Sequence, residues 1–299
     1  MGSQPVLRAA GMAVADPLGS EVRSGKAGIV SRPDRCISEW PMLKLDTVAG
    51  TLLESDALYF ELAAEQIPLN GAVLAWMPGF ESLAAGCVVQ RVRPEVVREN
   101  PEGWLLTVEA AVRMTGAALA RMYLPPDIPG IENSLRRAGY QSRVEVVLAS
   151  NGAPPEVDSA YRLRPVQSEE DWRLKEWVHH RCEAPDGYEN PAREWTRFIR
   201  AKCATGGKES FLIERDGEVV GCVGAMCFPG VVRLKNLCVM PEFRRQGAGS
   251  QAVGLMWQRA ADRDSVLGAF AVEGRGGEKL YRRRKLEAVA SLVEWRKSL

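Results

Sequence analysis

The stretch "VMPEFRRQGAGSQAV", Val239 to Val253, decides how this chain is read. An apolar, strand-like run ends in it and a helix-like run begins in it, with Pro241, Arg244, Arg245, Gly247 and Gly249 between them. The first amides of a helix have no intrahelical acceptor, and the helix dipole favours negative charge at that end. Glycines at 247 and 249 let a ligand approach the backbone with no Cβ in the way. Arg244 and Arg245 add positive charge, and Ser250 adds a hydroxyl. This is the chemistry of a pyrophosphate cradle; the plainer alternative is a polar helix start with incidental glycines.

The strand that feeds this loop, "VVRLKNLCVM", has apolar residues at Val232 and Leu234, then at Leu237 and Val239. The alternation slips by one residue, which predicts a β-bulge near Lys235 to Leu237. A strand buried on both faces is the alternative. Upstream, "YRLRPV" reads as a strand, and Ser168 with Asp171 as a capping-box-like helix start. "REWTRFIRAK" continues helical, and "FLIERDGEVVGCVGAMCF" is a hairpin turning at Asp216-Gly217. Downstream, Val253, Met256, Trp257 and Ala260 share one helix face. "SVLGAFAV", "GGEKLYRRR" and "AVASLVEW" follow as strand, short helix and strand. The order β-α-α-β-β-β-α-β-α-β predicts a mixed α/β layer fold.

Val239-x-Pro241-x-x-Arg244-x-x-Gly247-x-Gly249 resembles the acyl-CoA signature of the GNAT superfamily of N-acyltransferases. A second element of that family stands in register, a strand and then a short helix carrying Leu280-Tyr281. The resemblance spans Tyr161 to the C-terminus. It implies that the amides of Arg245, Gln246, Gly247, Ala248, Gly249 and Ser250 cradle the CoA pyrophosphate, with Arg244 beside them. It implies too that Leu237, Cys238 and Val239 pair with pantetheine like an added strand, between that strand and "GAFAV". Tyr281 matches the family's general acid, which neutralises the departing thiolate; a core tyrosine is the alternative. Many members carry a glutamate base six residues before the signature valine, and here that position is Arg233. Glu273 is the best replacement by position, with His179 and Glu183 as further candidates. Arg282 or Arg283 would reach the cofactor only if the basic run Arg282 to Lys285 is more than a solvated face.

The first half reads as a degenerate copy, with chance similarity in a different α/β fold as the alternative. Leu135-Arg136-Arg137 aligns with Tyr281-Arg282-Arg283, and Arg98 to Gly103 aligns with Arg244 to Gly249, both at an offset of 146 residues. The chemistry differs: Pro101 stands for Gly247, Glu99 and Glu102 bring negative charge, and Leu135 cannot donate a proton. The expected organisation is a flexible leader (1–35), a degenerate GNAT-like domain (36–150), a linker (151–158) and a catalytic domain (159–299). Each domain is expected to be a twisted mixed sheet flanked by helices.

Composition narrows the partners. A net charge of +1 among 299 residues, 46% of them hydrophobic, gives no reason to expect nucleic acid or an anionic membrane. No apolar run is long enough to cross a bilayer. Seven cysteines without CxxC spacing and only two histidines, His179 and His180, fit reduced cytosolic thiols better than disulfides or a metal site. The sequence therefore predicts a cytoplasmic, metal-free N-acyltransferase, monomeric or homodimeric, that uses acetyl-CoA or another acyl-CoA. Its acceptor would be a small-molecule amine, with Trp172, Trp177, Tyr188 and Trp195 available to line the pocket. The alternative is a CoA-binding sensor or scaffold without turnover.

Overall fold

The computed structural model describes residues 48–124, 128, 130–182 and 192–299, all within one compact unit that spans residues 35–299. In the first half α1 (Val48–Glu61) precedes the hairpin β1 (Glu65–Leu69) and β2 (Ala72–Trp76). Then come β3 (Cys87–Gln90), α2 (Pro94–Glu99), α3 (Pro101–Met114), β4 (Leu119–Leu124), α4 (Ile131–Arg137) and β5 (Gln141–Ser150). The second half opens with β6 (Tyr161–Pro165), α5 (Glu169–Cys182) and α6 (Ala192–Ala204). After these come β7 (Glu209–Arg215), β8 (Glu218–Phe228) and β9 (Val231–Val239). A 3₁₀ turn (Pro241–Phe243) leads to α7 (Ala248–Ala261), β10 (Val266–Val272), α8 (Gly276–Arg283) and β11 (Leu286–Ser298).

Local chemistry sets several of these boundaries as the sequence predicts. Ser168 and Asp171 form the reciprocal cap of α5: the Asp171 amide donates to Ser168 Oγ at 3.1 Å and the Ser168 amide to Asp171 Oδ2 at 2.8 Å. Asp216 and Gly217 both take positive φ, 51° and 86°, as a primed hairpin turn demands. β9 carries its bulge where the alternation slips. Cys222 pairs with Cys238 and Gly224 with Lys235, so Asn236 and Leu237 together oppose Val223, with Asn236 left-handed at φ 53°.

The two halves repeat each other element by element. Shifted by 146 residues, the start of β5 at Gln141 falls on 287, beside the start of β11 at Leu286. The starts of α3 (Pro101) and β4 (Leu119) fall on 247 and 265, each one residue from α7 (Ala248) and β10 (Val266).

Instead of two separate sheets, the halves share one sheet of eleven strands in the order β1-β2-β3-β4-β11-β5-β10-β9-β8-β7-β6. The last strand of each half has crossed to the other: β11 pairs with β4, and β5 pairs with β10. The cores follow the strands. Trp295 of β11 is buried among first-half residues such as Val108, Met122 and Leu135. Val146 and Leu148 of β5 are buried with Trp257, Leu267 and Tyr281 of the second half. The exchange buries edges that would otherwise offer unpaired backbone groups to other chains. The 151–158 connection lies along α7, where the Asp158 amide donates to Gln251 Oε1 at 3.2 Å and Gln258 Nε2 donates to Pro155 O at 3.4 Å.

Candidate active site

β9 and β10 run parallel and pair only through Val231 to Arg233 and Val266 to Gly268. Beyond that they part, and among the described residues the β10-facing edge of β9 from Lys235 to Val239 has no strand partner. Leu237, Cys238 and Val239 are all half-buried along this opening. At its mouth Arg244 is extended, Arg245 is left-handed at φ 63°, and Gly247 takes φ 91° as the residue before α7. No side chain caps α7, so the amides of Ala248, Gly249 and Ser250 face outward with no intrahelical acceptor. The loop itself is fixed from behind. Arg244 Nε donates to Val239 O at 2.9 Å, Gln246 Nε2 to Glu242 O at 2.6 Å, and Tyr161 Oη to Gln246 O at 3.5 Å. Arg245 is exposed.

The equivalent turn in the first half is closed. Asn100 Oδ1 accepts from the Gly103 amide at 2.9 Å, and a Cβ at Gly103 would come within 2.3 Å of the Asn100 side chain. Pro101 has no N–H to give, and Glu102 pairs with Arg137 at 2.8 Å. One helix start is capped by its own chain; the other is left open.

Past the bulge the opening leads into a cavity of about 320 Å³ between the halves. Leu234, Lys235, Asn236, Phe270 and Tyr281 line it from the second half, together with Trp195 of α6. The first half supplies the other walls: Asp56, Tyr59 and Phe60 from α1, Arg121 and Tyr123 from β4, and Arg143 and Glu145 from β5. The strand exchange is what brings Glu145 here, since it sits opposite Val272 of β10.

Tyr281 is buried and its hydroxyl makes no hydrogen bond to the described residues; burial pushes the phenol above its ordinary value. Arg233 is fully buried, pairs with Asp56, donates to Ser55 Oγ at 3.2 Å and lies 3.8 Å over the Phe270 ring. Lys235 Nζ lies 3.7 Å from the same Asp56 and 3.8 Å over the Tyr59 ring. Burial opposes the Asp56 carboxylate, but Arg233 and Lys235 outweigh it and hold the group below its ordinary value. Burial, then the charge of Arg233, pushes the Lys235 ammonium well below its own. Glu145 moves the other way: burial, and next the negative charge of Asp56, raise its carboxyl despite an Arg143 contact at 2.9 Å. Arg143 and Arg121 are also tied to Glu294 of β11, at 2.5 and 3.0 Å.

Glu273 is exposed at the end of β10 and does not line the cavity, although its amide bonds Val144 O at 3.0 Å. His179 is buried beneath α5, its ring 3.9 Å from the thiols of both Cys222 and Cys238. Arg282 is half-exposed and pairs with Glu278 at 2.7 Å, while Arg283 is exposed. Of the aromatics, Trp195 lines the cavity, Trp177 is 44% exposed, and Trp172 packs beside Arg200. Glu183 and Tyr188 lie outside the described residues. Glu145, Asp56 and Lys235 went unnoticed as site residues, though each is a charge set in an apolar run: "RVEVVL", "ESDALYF" and "VRLKNL".

A strand that parts from its neighbour, a bulge, an uncapped glycine turn and a buried tyrosine meet along one opening. Residues 168–284 match the model of the acetyltransferase (GNAT) family. A GCN5-related N-acetyltransferase from Kribbella flavida shares the fold with a TM-score of 0.61 and 18% identity, over 85% of this chain and 96% of that one. A conserved protein of unknown function from Staphylococcus epidermidis superposes with a TM-score of 0.59 and 13% identity, over 79% and 95% of the two chains. A GCN5-related N-acetyltransferase from Sphaerobacter thermophilus gives 0.54 and 17%, over 76% of each. These lengths exceed one half of the chain, so the shared fold includes both. No curated protein matches the sequence.

Proposed function

We propose that the chain transfers an acyl group, most simply acetyl, from acyl-CoA to the amine of a small molecule held in the cavity between the halves. The observation that carries this reading is the contrast between the two helix starts: α3 is sealed by Asn100, and α7 is open at the end of a strand with an unpaired edge. The amides of residues 245–250 would hold the pyrophosphate, and the free edge of Leu237 to Val239 the pantetheine. When bound, acyl-CoA supplies the thioester carbonyl that the amine attacks. Glu145, its carboxyl raised above its ordinary value by burial and by the charge of Asp56, takes the amine proton as the N–C bond forms. A backbone amide of the bulge polarises the carbonyl oxygen. Tyr281 gives its proton to the sulfur as the C–S bond breaks. Glu145 takes the base role ahead of Glu273 because it shares the cavity with Tyr281.

A cavity walled by Asp56, Glu145, Arg121, Arg143 and Lys235 suits a compact polar acceptor better than a long apolar one. The test is release of free thiol from acetyl-CoA against a panel of small polar amines, with calorimetry on CoA alone. CoA binding with amine-dependent thiol release supports the reading. CoA binding without turnover on any amine points instead to a sensor or scaffold, which the replacement of the strand carboxylate by Arg233 favours. No heat with CoA sinks both.

A further inference from the structure

The side of the sheet under α5 holds a second cluster. His179 of α5 lies 3.9 Å through Nε2 from Cys222 Sγ, and 3.9 Å through Nδ1 from Cys238 Sγ. The three ligand atoms all fall within 4.8 Å of one another. Cys222 and Cys238 are direct cross-strand partners on β8 and β9, so their side chains point to the same face. Cys182, three residues after His179 on α5, is buried in the same packed cluster as Cys222 and Cys238. A tetrahedral zinc with Zn–S about 2.3 Å and Zn–N about 2.0 Å sets its ligands roughly 3.5–3.8 Å apart. The 3.9 Å contacts exceed that edge length by a few tenths of an ångström and go to different nitrogens, so on binding the thiols would close in and the ring would offer one nitrogen.

From this geometry we infer that His179, Cys222 and Cys238, with Cys182 closing the set, form a site for a zinc-like divalent cation that fastens α5 to the bulged strand. The charge environment points the same way. Three thiolates, a neutral imidazole and a dication carry a net charge of −1. One turn before His179 stands Lys175, fully buried, its Nζ without a hydrogen-bond partner among the described residues. Its charge acts on both Cys222 and Cys238. A buried ammonium with no partner is costly on its own and is compensated by an anionic metal–thiolate centre. Binding releases the thiol protons to solvent. The metal would not obstruct the acyl-CoA path, because strand side chains stand perpendicular to the backbone edge that pantetheine would use.

The inference does not depend on the transferase reading, and its test reads metal rather than turnover. The full chain, reduced and stripped with a chelator, is titrated with Co²⁺. Elemental analysis measures zinc in protein isolated without chelator. The expectation is about one equivalent per chain, with thiolate-to-cobalt charge-transfer bands and the strong ligand-field bands of a tetrahedral site. Cys182→Ser should weaken the charge-transfer band by about one third while the protein stays folded, as it removes one of three thiolates. Cys222→Ser and Cys238→Ser should each weaken it at least as much, and Cys203→Ser and Cys227→Ser should leave it unchanged. Should Cys222→Ser or Cys238→Ser fail to fold, wild type and Cys182→Ser decide alone. Absence of cobalt bands on folded, reduced protein together with no stoichiometric zinc would overturn the inference, as would a spectrum unmoved by Cys182→Ser.

Discussion

Tyr281 and Glu145 divide the proton traffic of the proposed reaction, and each makes a separable prediction. Tyr281→Phe keeps the buried ring and removes only the hydroxyl. It should lower kcat by about 10²-fold or more with little change in CoA affinity, measured by steady-state kinetics and calorimetry. Equal losses in both would remove Tyr281 from the acid role. Glu145 has a raised carboxyl pKa, so the base form fills as pH rises through a value above the ordinary 4.5. The acidic limb of the kcat/KM profile should therefore disappear in Glu145→Gln, leaving a low, flatter curve. Asp56 has the opposite sign. Its pKa is lowered from 3.8, so its contribution to stability is present above that value and is lost as pH falls through the lower, folded one. Asp56→Asn leaves Arg233 buried without its counter-charge and should cost about 3–5 kcal/mol at neutral pH. In urea unfolding, the gap to wild type should narrow in acid.

Among the elements, the bulge in β9 and the docking of α1 matter most. Sequence alternation located the bulge to within a residue, because a slip in a period-two pattern has few other remedies. The docking of α1 left no such trace. Leu52 of α1 is fully buried against β10, where a Cβ added at Gly268 would come within 2.1 Å of its Cδ2. Gly268→Ala must displace Leu52 from a filled site and should cost about 1–3 kcal/mol, measured by denaturant unfolding. Since α1 also carries Asp56 and Tyr59 into the cavity, a rise in KM for the amine should accompany it, with CoA binding nearly unchanged.

For the molecule as one body, the exchange of β5 and β11 makes the halves interdependent. Residues 159–299 alone would lack β5, leaving the β5-facing edge of β10 open and part of the second core uncovered. That fragment should aggregate or self-associate when expressed alone. Co-expression with residues 1–158 should restore a soluble complex, visible by gel filtration, and the intact chain should unfold in one cooperative transition. A soluble, monomeric, fully folded 159–299 fragment would contradict the interdependence.

Features that depend on neighbours along the chain were legible from the sequence alone: the α5 cap, the Asp216-Gly217 turn, the bulge, the glycine turn before α7 and the 146-residue repeat. Each is governed by torsion angles, hydrogen bonds or periodicity within a few residues, and such interactions leave a local pattern. The partners of the buried charges were not legible. Glu145 and Asp56 are charges in apolar runs that drew no notice, Arg233 was seen only as a missing base, and which charge met which depended on β5 and β11 changing places. The cysteines under α5 were equally silent, because Cys222 and Cys238 meet across a strand pair and His179 arrives from a helix packed over it. Long-range pairing is set by the packing of whole sheets and helices, and no local spacing records it.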